Sequence, residues 1–369
     1  MSQSPLWVFY NVIIWLIGFI IAYTHYKNQN NSGAINSRSK AAIWIFYVLA
    51  LLFSLYTFFG GDAQRYEEFV TSGYLDYDNE LVHEHEEVYV WIARFVKGNF
   101  LLWKVIVYGL ALSLVYQSSK RLKCNNYTTI LGFSLLAFLS YGATRGVLAY
   151  SVFVFGLSFL DDKKLLLRII GIGIIISSIA FHSSMLPLVL FTPLTYFRVR
   201  KSGFVLILIV LIVILSSIAG IFSGLLENID IFGFSGQKLL LYADELSIDV
   251  NYNRGLLIDA RLYCCYGLNV WGVIKILKAD INQELPLGID RIGRICLYLC
   301  ILSLVILASP FPGNTIVFTR YMTMINFYIF FTWSTLLSHD TRNNRNYLYF
   351  AIFYAFLSVF NIVYYTIDV

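Results

Sequence analysis

Runs of about 20 apolar residues, each closed by a short polar break, recur from one end of the chain to the other, and 20 is the number a helix needs to cross a bilayer. That pattern constrains the fold more than any motif. Inside hydrocarbon only a helix satisfies its own backbone hydrogen bonds, so the runs are read as spans rather than strands. Charged residues make up 13% of the 369 positions, about half the share usual for a soluble domain, which leaves too little polar surface to clothe a water-soluble fold of this length.

The expected fold is therefore an all-α polytopic membrane protein, a single transmembrane domain over residues 1–369 with about 12 helices. The spans fall at roughly 5–25, 43–60, 101–118, 127–143, 145–160, 168–182, 185–197, 203–222, 256–277, 293–309, 317–337 and 347–366. Several are short, notably the one beginning near Met185, and such a segment is expected to be tilted, broken or half-inserted. The first run has no basic residue before it and no small-residue cleavage site, so it reads as a span rather than a signal peptide.

Lysine and arginine give the orientation. Lys27, Arg38 and Lys40 are followed by Lys120, Arg121 and Lys123, then Lys163, Lys164 and Arg168, then Arg198, Arg200 and Lys201. Arg291 with Arg294, and Arg342 with Arg345, continue the series, and all six clusters alternate with the spans so as to share the cytoplasmic side. Both termini then lie outside. Two long loops face the other way, 61–100 and 223–255, and both are acidic and studded with Tyr and Phe. Loops of that length are functional or disordered as a rule, and their aromatics argue for order: re-entrant or interfacial helices roofing a cavity on the outer face.

An ionised side chain in hydrocarbon costs roughly 3 kcal/mol on insertion scales, so each one needs a cause. Arg145 interrupts the apolar stretch 130–160, Arg320 opens a later helix, His182 ends another ahead of Ser183-Ser184, and Asp62, Arg65 and Tyr66 follow the second. The bland reading is that each arginine snorkels to the interface or pairs with an acid to pin two helices. Taken as a set at one membrane level, they describe a shared polar site. Two guanidinium forks suit the oxygens of a diphosphate. There is no Walker-type loop, and activated nucleotides are cytoplasmic, so an outward-facing diphosphate site points to a lipid-linked diphosphate.

Other features have plainer explanations. His83-Glu84-His85-Glu86-Glu87 alternates imidazoles with carboxylates but lacks a spaced fourth ligand, so a solvated acidic segment, or a carboxylate acting as base, is preferred to a metal centre. Gly171 and Gly173 lie mid-helix, where close helix packing accounts for them. The five cysteines form no CxxC pair and read as packing residues.

Gly61-Asp62-Ala63-Gln64-Arg65-Tyr66-Glu67-Glu68-Phe69 resembles the G-T-D-x-x-x-Y-x-x-x-F element of the EpsG-like polysaccharide polymerases, relatives of the Wzy O-antigen polymerases, with the tyrosine one place early. Glu86-Glu87-Val88-Tyr89 is similar to their E-P-G-Y element, with Pro-Gly replaced. Thr144-Arg145-Gly146-Val147-Leu148-Ala149 resembles R-Q-x-L-A, with glycine for glutamine; Phe181-His182-Ser183-Ser184-Met185 resembles F-H-x-S-A; and Thr319-Arg320-Tyr321 resembles the late S-R-x element.

The resemblance implies a bacterial inner-membrane glycosyltransferase with a GT-C-like helical bundle and its site toward the periplasm. It would transfer a growing glycan from undecaprenyl diphosphate to the next lipid-linked repeat, without metal or other cofactor. It implies Arg145, Arg320 and Arg65 on the diphosphate, with Asp62, Glu86 and His182 as catalytic groups. Tyr66, Tyr89, Ser184 and Tyr321 would line the substrate. Implied partners are the lipid-linked donor and acceptor, the bilayer, a chain-length regulator and a flippase, with no nucleic acid. One rival comes from another class, a flippase for lipid-linked oligosaccharides, which would place its charges along the membrane midplane with an internal repeat; a second is a related GT-C ligase, whose donor site would look the same.

Overall fold

In the computed structural model the described residues are 38–56, 61–72, 86–124, 144–197, 230–231, 234–235, 288–308, 321–329 and 331–332, with scattered helical positions at 9–20 and 267–275. They are helical apart from one two-residue antiparallel pair, Asp230–Ile231 with Phe234–Ser235. The expected spans 127–143, 203–222 and 347–366 lie outside the described residues. Two compact units divide the chain: Met1–Met185 with Leu287–Ile289 and Phe330–Val369, and Leu186–Pro286 with Asp290–Ile329.

The first unit packs its helices side by side in a layer. α1 (Arg38–Tyr56) runs antiparallel to α4 (Phe100–Arg121): the Tyr47 hydroxyl donates to the Gly109 carbonyl at 3.3 Å, and Trp44 meets Tyr116 ring to ring. α4 is the one described helix with both the length and the apolar character to cross a membrane. α5 (Thr144–Leu157) runs parallel to α4. α5 and α6 (Leu165–Phe181) form an antiparallel hairpin, packed where Gly156 and Gly171 face each other. A Cβ on either glycine would lie 2.9 Å from the other's carbonyl oxygen, so only two glycines allow the backbones this close. Gly173 differs. Among the described residues a Cβ there would meet nothing within 4 Å, so no described helix packs closely against it.

α6 shows why its sequence looks apolar all round. Gly171, Ile175 and Ser178 are buried, while Leu165, Leu166, Ile169, Ile172 and Ile176 are exposed. A side open to hydrocarbon needs apolar side chains as much as a core does.

The two ends of this layer differ in charge. The α5–α6 turn carries Asp162, Lys163 and Lys164, and the Arg121 guanidinium donates to Asp162 at 3.0 Å while lying over the Phe159 ring. Two of the basic clusters therefore share one end. α4 stops there with Lys123 in the left-handed region (φ 55°), its amide and that of Cys124 closing on the carbonyls of Lys120 and Ser119. Arg145 opens α5 and His182 ends α6, so both belong to the opposite end.

Two shorter helices occupy the loop 61–100. α2 (Gly61–Thr71) buries Tyr66, Phe69 and Val70. α3 (Glu87–Phe95) buries Tyr89, Val90 and Ala93. α3 ends in a Schellman turn, Gly98 N–H to the Ala93 carbonyl and Lys97 N–H to the Arg94 carbonyl, and Asn99 then caps α4 by accepting from Leu102 N–H at 3.0 Å. Within this loop, residues 61–71 and 87–95 are thus helical.

In the second unit the segment after Met185 is broken. α7 (Leu186–Phe191) gives way to a 3₁₀ turn at Pro193–Tyr196. Arg291 and Arg294, expected in a basic loop, instead sit in the opening turns of α8 (Ile289–Ala308) and are buried. Arg294 pairs at 2.8 Å with Asp290, four residues earlier on the same helix face, and donates to the Thr195 carbonyl, while Arg291 lies over the Tyr196 ring. Charge neutralised within one turn can enter a helix that the pattern alone would start at 293.

Candidate functional site

Four chain segments converge at the end of the layer opposite the basic turns. Glu86 is the N-cap of α3, yet its carboxylate accepts no bond from its own helix. One oxygen accepts from Arg145 Nη1 at 3.0 Å and the other from His182 Nδ1 at 3.0 Å. Arg145 Nε donates to the Tyr66 hydroxyl at 2.9 Å, and its guanidinium lies 5.7 Å from the Tyr66 ring. The Tyr89 hydroxyl donates to the Arg145 backbone carbonyl at 2.7 Å.

Local backbone explains how these groups meet. His182 leaves α6 in extended geometry (ψ 122°), which swings its ring off the helix, and the 3₁₀ turn Ser183–Met185 follows at once. Gly146, where the family pattern has glutamine, faces Tyr150: a Cβ would sit 2.7 Å from the Tyr150 hydroxyl, so the tyrosine ring occupies the space beside the arginine that a side chain at 146 would need.

Burial raises the Glu86 carboxyl, but the His182 hydrogen bond and the Arg145 charge outweigh it and hold the group at about 2. Glu86 is therefore ionised at neutral pH and acts purely as an acceptor, so Nδ1 of His182 carries the proton that joins them. The other ring nitrogen, Nε2, has no hydrogen-bond partner among the described residues. Burial, with the Glu86 charge behind it, pushes the Tyr89 phenol well above its usual range, so it remains a donor.

The geometry assembles Tyr66, Glu86, Tyr89, Arg145 and His182 from the residues that the sequence singled out. Tyr89 is 0% exposed and its hydroxyl is engaged by the Arg145 backbone, so it positions the arginine rather than reaching open space. Ser184 lies in the turn after His182 with its hydroxyl buried and unpaired among the described residues. Asp62 and Arg65 belong to α2, their side chains lying outside the described residues, as do Arg320, His83 and His85. Tyr321 is buried in the second unit. Among the described residues no three His, Cys, Asp or Glu side chains cluster as metal ligands would.

Trp103 is the residue that sequence reasoning missed. It is fully buried on α4, its ring stacked on Tyr66 at 5.9 Å and tilted against Tyr89 at 6.0 Å. Both tyrosines that hold Arg145 thus rest on one indole. Its position four residues after Asn99 gives no spacing signal, since an aromatic near a helix start reads equally well as a bilayer anchor.

A family model described as the EpsG family matches residues 40–368, nearly the whole chain, and every assembled site residue lies within it. No curated protein and no solved structure matches. With its helical layer, its apolar outer surfaces and this match, the chain belongs to the EpsG family, a family of membrane proteins like the Wzy-type polysaccharide polymerases.

Proposed function

We propose that the chain is a membrane glycosyltransferase that polymerises undecaprenyl diphosphate-linked oligosaccharide repeats into a surface polysaccharide at the outer face of the bacterial inner membrane. The observation that carries this reading is the carboxylate of Glu86 shared between Arg145 and His182 at the end of the bundle opposite the basic turns.

In this reading Arg145 holds the donor's diphosphate and stabilises the negative charge that develops as it leaves. Glu86 fixes His182 with its proton on Nδ1, so Nε2 is the atom able to take the proton of the acceptor hydroxyl. The acceptor oxygen bonds to the donor's anomeric carbon. The bond from that carbon to the phosphate oxygen breaks, and undecaprenyl diphosphate departs with the electron pair. A carboxyl held at about 2 is a poor base near neutral pH, so Glu86 serves as orienter rather than proton acceptor. The leaving group carries the activation, so the scheme needs no metal.

Turnover tests it. Purified protein in nanodiscs receives undecaprenyl diphosphate-linked repeats and no nucleotide sugar. A ladder of longer lipid-linked glycans, lost in Arg145→Ala, is the expected result. Movement of substrate between leaflets without elongation would make the chain a flippase, and transfer only to an unrelated acceptor would make it a ligase.

A further inference from the structure

α3 has two unlike sides. Tyr89, Val90, Ala93 and Val96 are buried, whereas Trp91 and Phe95, one turn apart, are 69% and 78% exposed. The exposed apolar character continues along the chain past the turn, into Leu101 and Leu102 at the start of α4. α4 is the helix able to span a membrane, and Leu110 further along it is exposed as well. Exposed Lys97 stands in the intervening turn, and Glu87 opens the same helix face at the N-terminal end, where the helix dipole favours an acid.

Tryptophan and phenylalanine beside a cation, on a short amphipathic helix leading into a span, have the chemistry of the lipid headgroup boundary. We propose that Trp91 and Phe95 seat α3 in the headgroup region of the leaflet on the Arg145 side, with phospholipid as the occupant of this surface. The opposite face of the same helix carries Tyr89, which holds the Arg145 carbonyl, and its N-cap is Glu86. Lipid contact on one side of α3 therefore fixes the depth of the Glu86–Arg145–His182 set on the other. That depth is where the phosphates of a membrane-anchored lipid lie.

The experiment places a photoreactive residue on this surface in the full chain, as Trp91→benzoylphenylalanine and separately Phe95→benzoylphenylalanine, in nanodiscs of phosphatidylglycerol and phosphatidylethanolamine. Both replacements are aromatic and exposed, and either position alone suffices if the other fails to fold. After illumination, peptide masses are expected to show phospholipid attached at 91 and 95 through its glycerol or upper acyl carbons. The same residue at Glu67, exposed on α2, is expected to lose those adducts. Crosslinks to protein instead of lipid, an absence of lipid at both positions, or attachment at the acyl chain ends would overturn the proposal.

Discussion

Replacing Glu86 with glutamine keeps the size of the side chain and removes the charge that Arg145 and His182 share. The carboxyl moves from 4.5 in the unfolded chain to about 2 in place. Each pKa unit corresponds to about 1.4 kcal/mol, so the charge set contributes on the order of 3 kcal/mol to folding near neutral pH. Glu86, Arg145 and His182 are each less than a quarter exposed as side chains (18%, 23% and 17%), so solvent screens little of this. An acid whose pKa is depressed by folding stabilises fully above its unfolded value, and the benefit disappears as pH falls from about 4.5 to about 2. Equilibrium unfolding of wild type and Glu86→Gln in mixed micelles reads this directly. The gap between them should be about 3 kcal/mol near neutral pH and about half that near pH 3. A gap below about 1 kcal/mol at neutral pH, or one unchanged by acid, would refute the idea that ionised Glu86 holds the site together.

Tyr89→Phe removes one buried hydrogen bond to the Arg145 carbonyl and should cost about 1 kcal/mol in the same unfolding assay, with turnover reduced because the arginine loses its backbone anchor. Gly171→Ala puts a Cβ 2.7 Å from Phe159 Cβ and 2.9 Å from the Gly156 carbonyl, neither of which can step aside, and should destabilise by about 1–3 kcal/mol. Gly173→Ala, two residues on in the same helix, meets nothing among the described residues and should stabilise by up to about 1 kcal/mol through helix propensity; equal effects at the two sites would contradict the packing described. Arg145→Lys keeps the charge but cannot span Tyr66 and Glu86 as the planar fork does, so glycan elongation should fall at least about tenfold, and wild-type rates would show that only the charge matters.

The helical class was legible because hydrocarbon forbids the alternatives, and Tyr66, Arg145 and His182 were legible because ionisable or hydroxylated groups beside apolar runs are costly there, whereas Glu86 was marked only by its resemblance to the E-P-G-Y element. What periodicity could not reveal was pairing. Glu86 looked like one acid among several in a solvated stretch, and nothing in its spacing showed that it turns from its own helix toward Arg145, 59 residues on, and His182, 96 residues on. Arg291 and Arg294 failed in the opposite sense: charge was counted without the aspartate one turn away that allows it to be buried. Trp103 was invisible for a third reason, because an aromatic at the start of a span has the same composition whether it faces lipid or supports two tyrosines.

On the proposed reaction, one further consequence separates the two roles of Glu86. In the structure Arg145 Nη1 is already bonded to the Glu86 carboxylate, so an arriving diphosphate competes with that carboxylate for the guanidinium. Glu86→Gln weakens the competitor, and donor binding should tighten. The same substitution takes away the ionic acceptor that keeps the His182 proton on Nδ1, so the fraction of rings with Nε2 ready to accept a proton falls. Properly placed proton transfer contributes about 10²–10⁴ in rate, so kcat should drop within that range while KM falls. A group that merely held the fold would lower the amount of active protein and leave KM where it was. A group that touched the acceptor sugar would raise KM instead. Only the paired decrease fits a carboxylate that restrains the arginine and orients the histidine at once, and a raised KM with unchanged kcat would remove Glu86 from both roles.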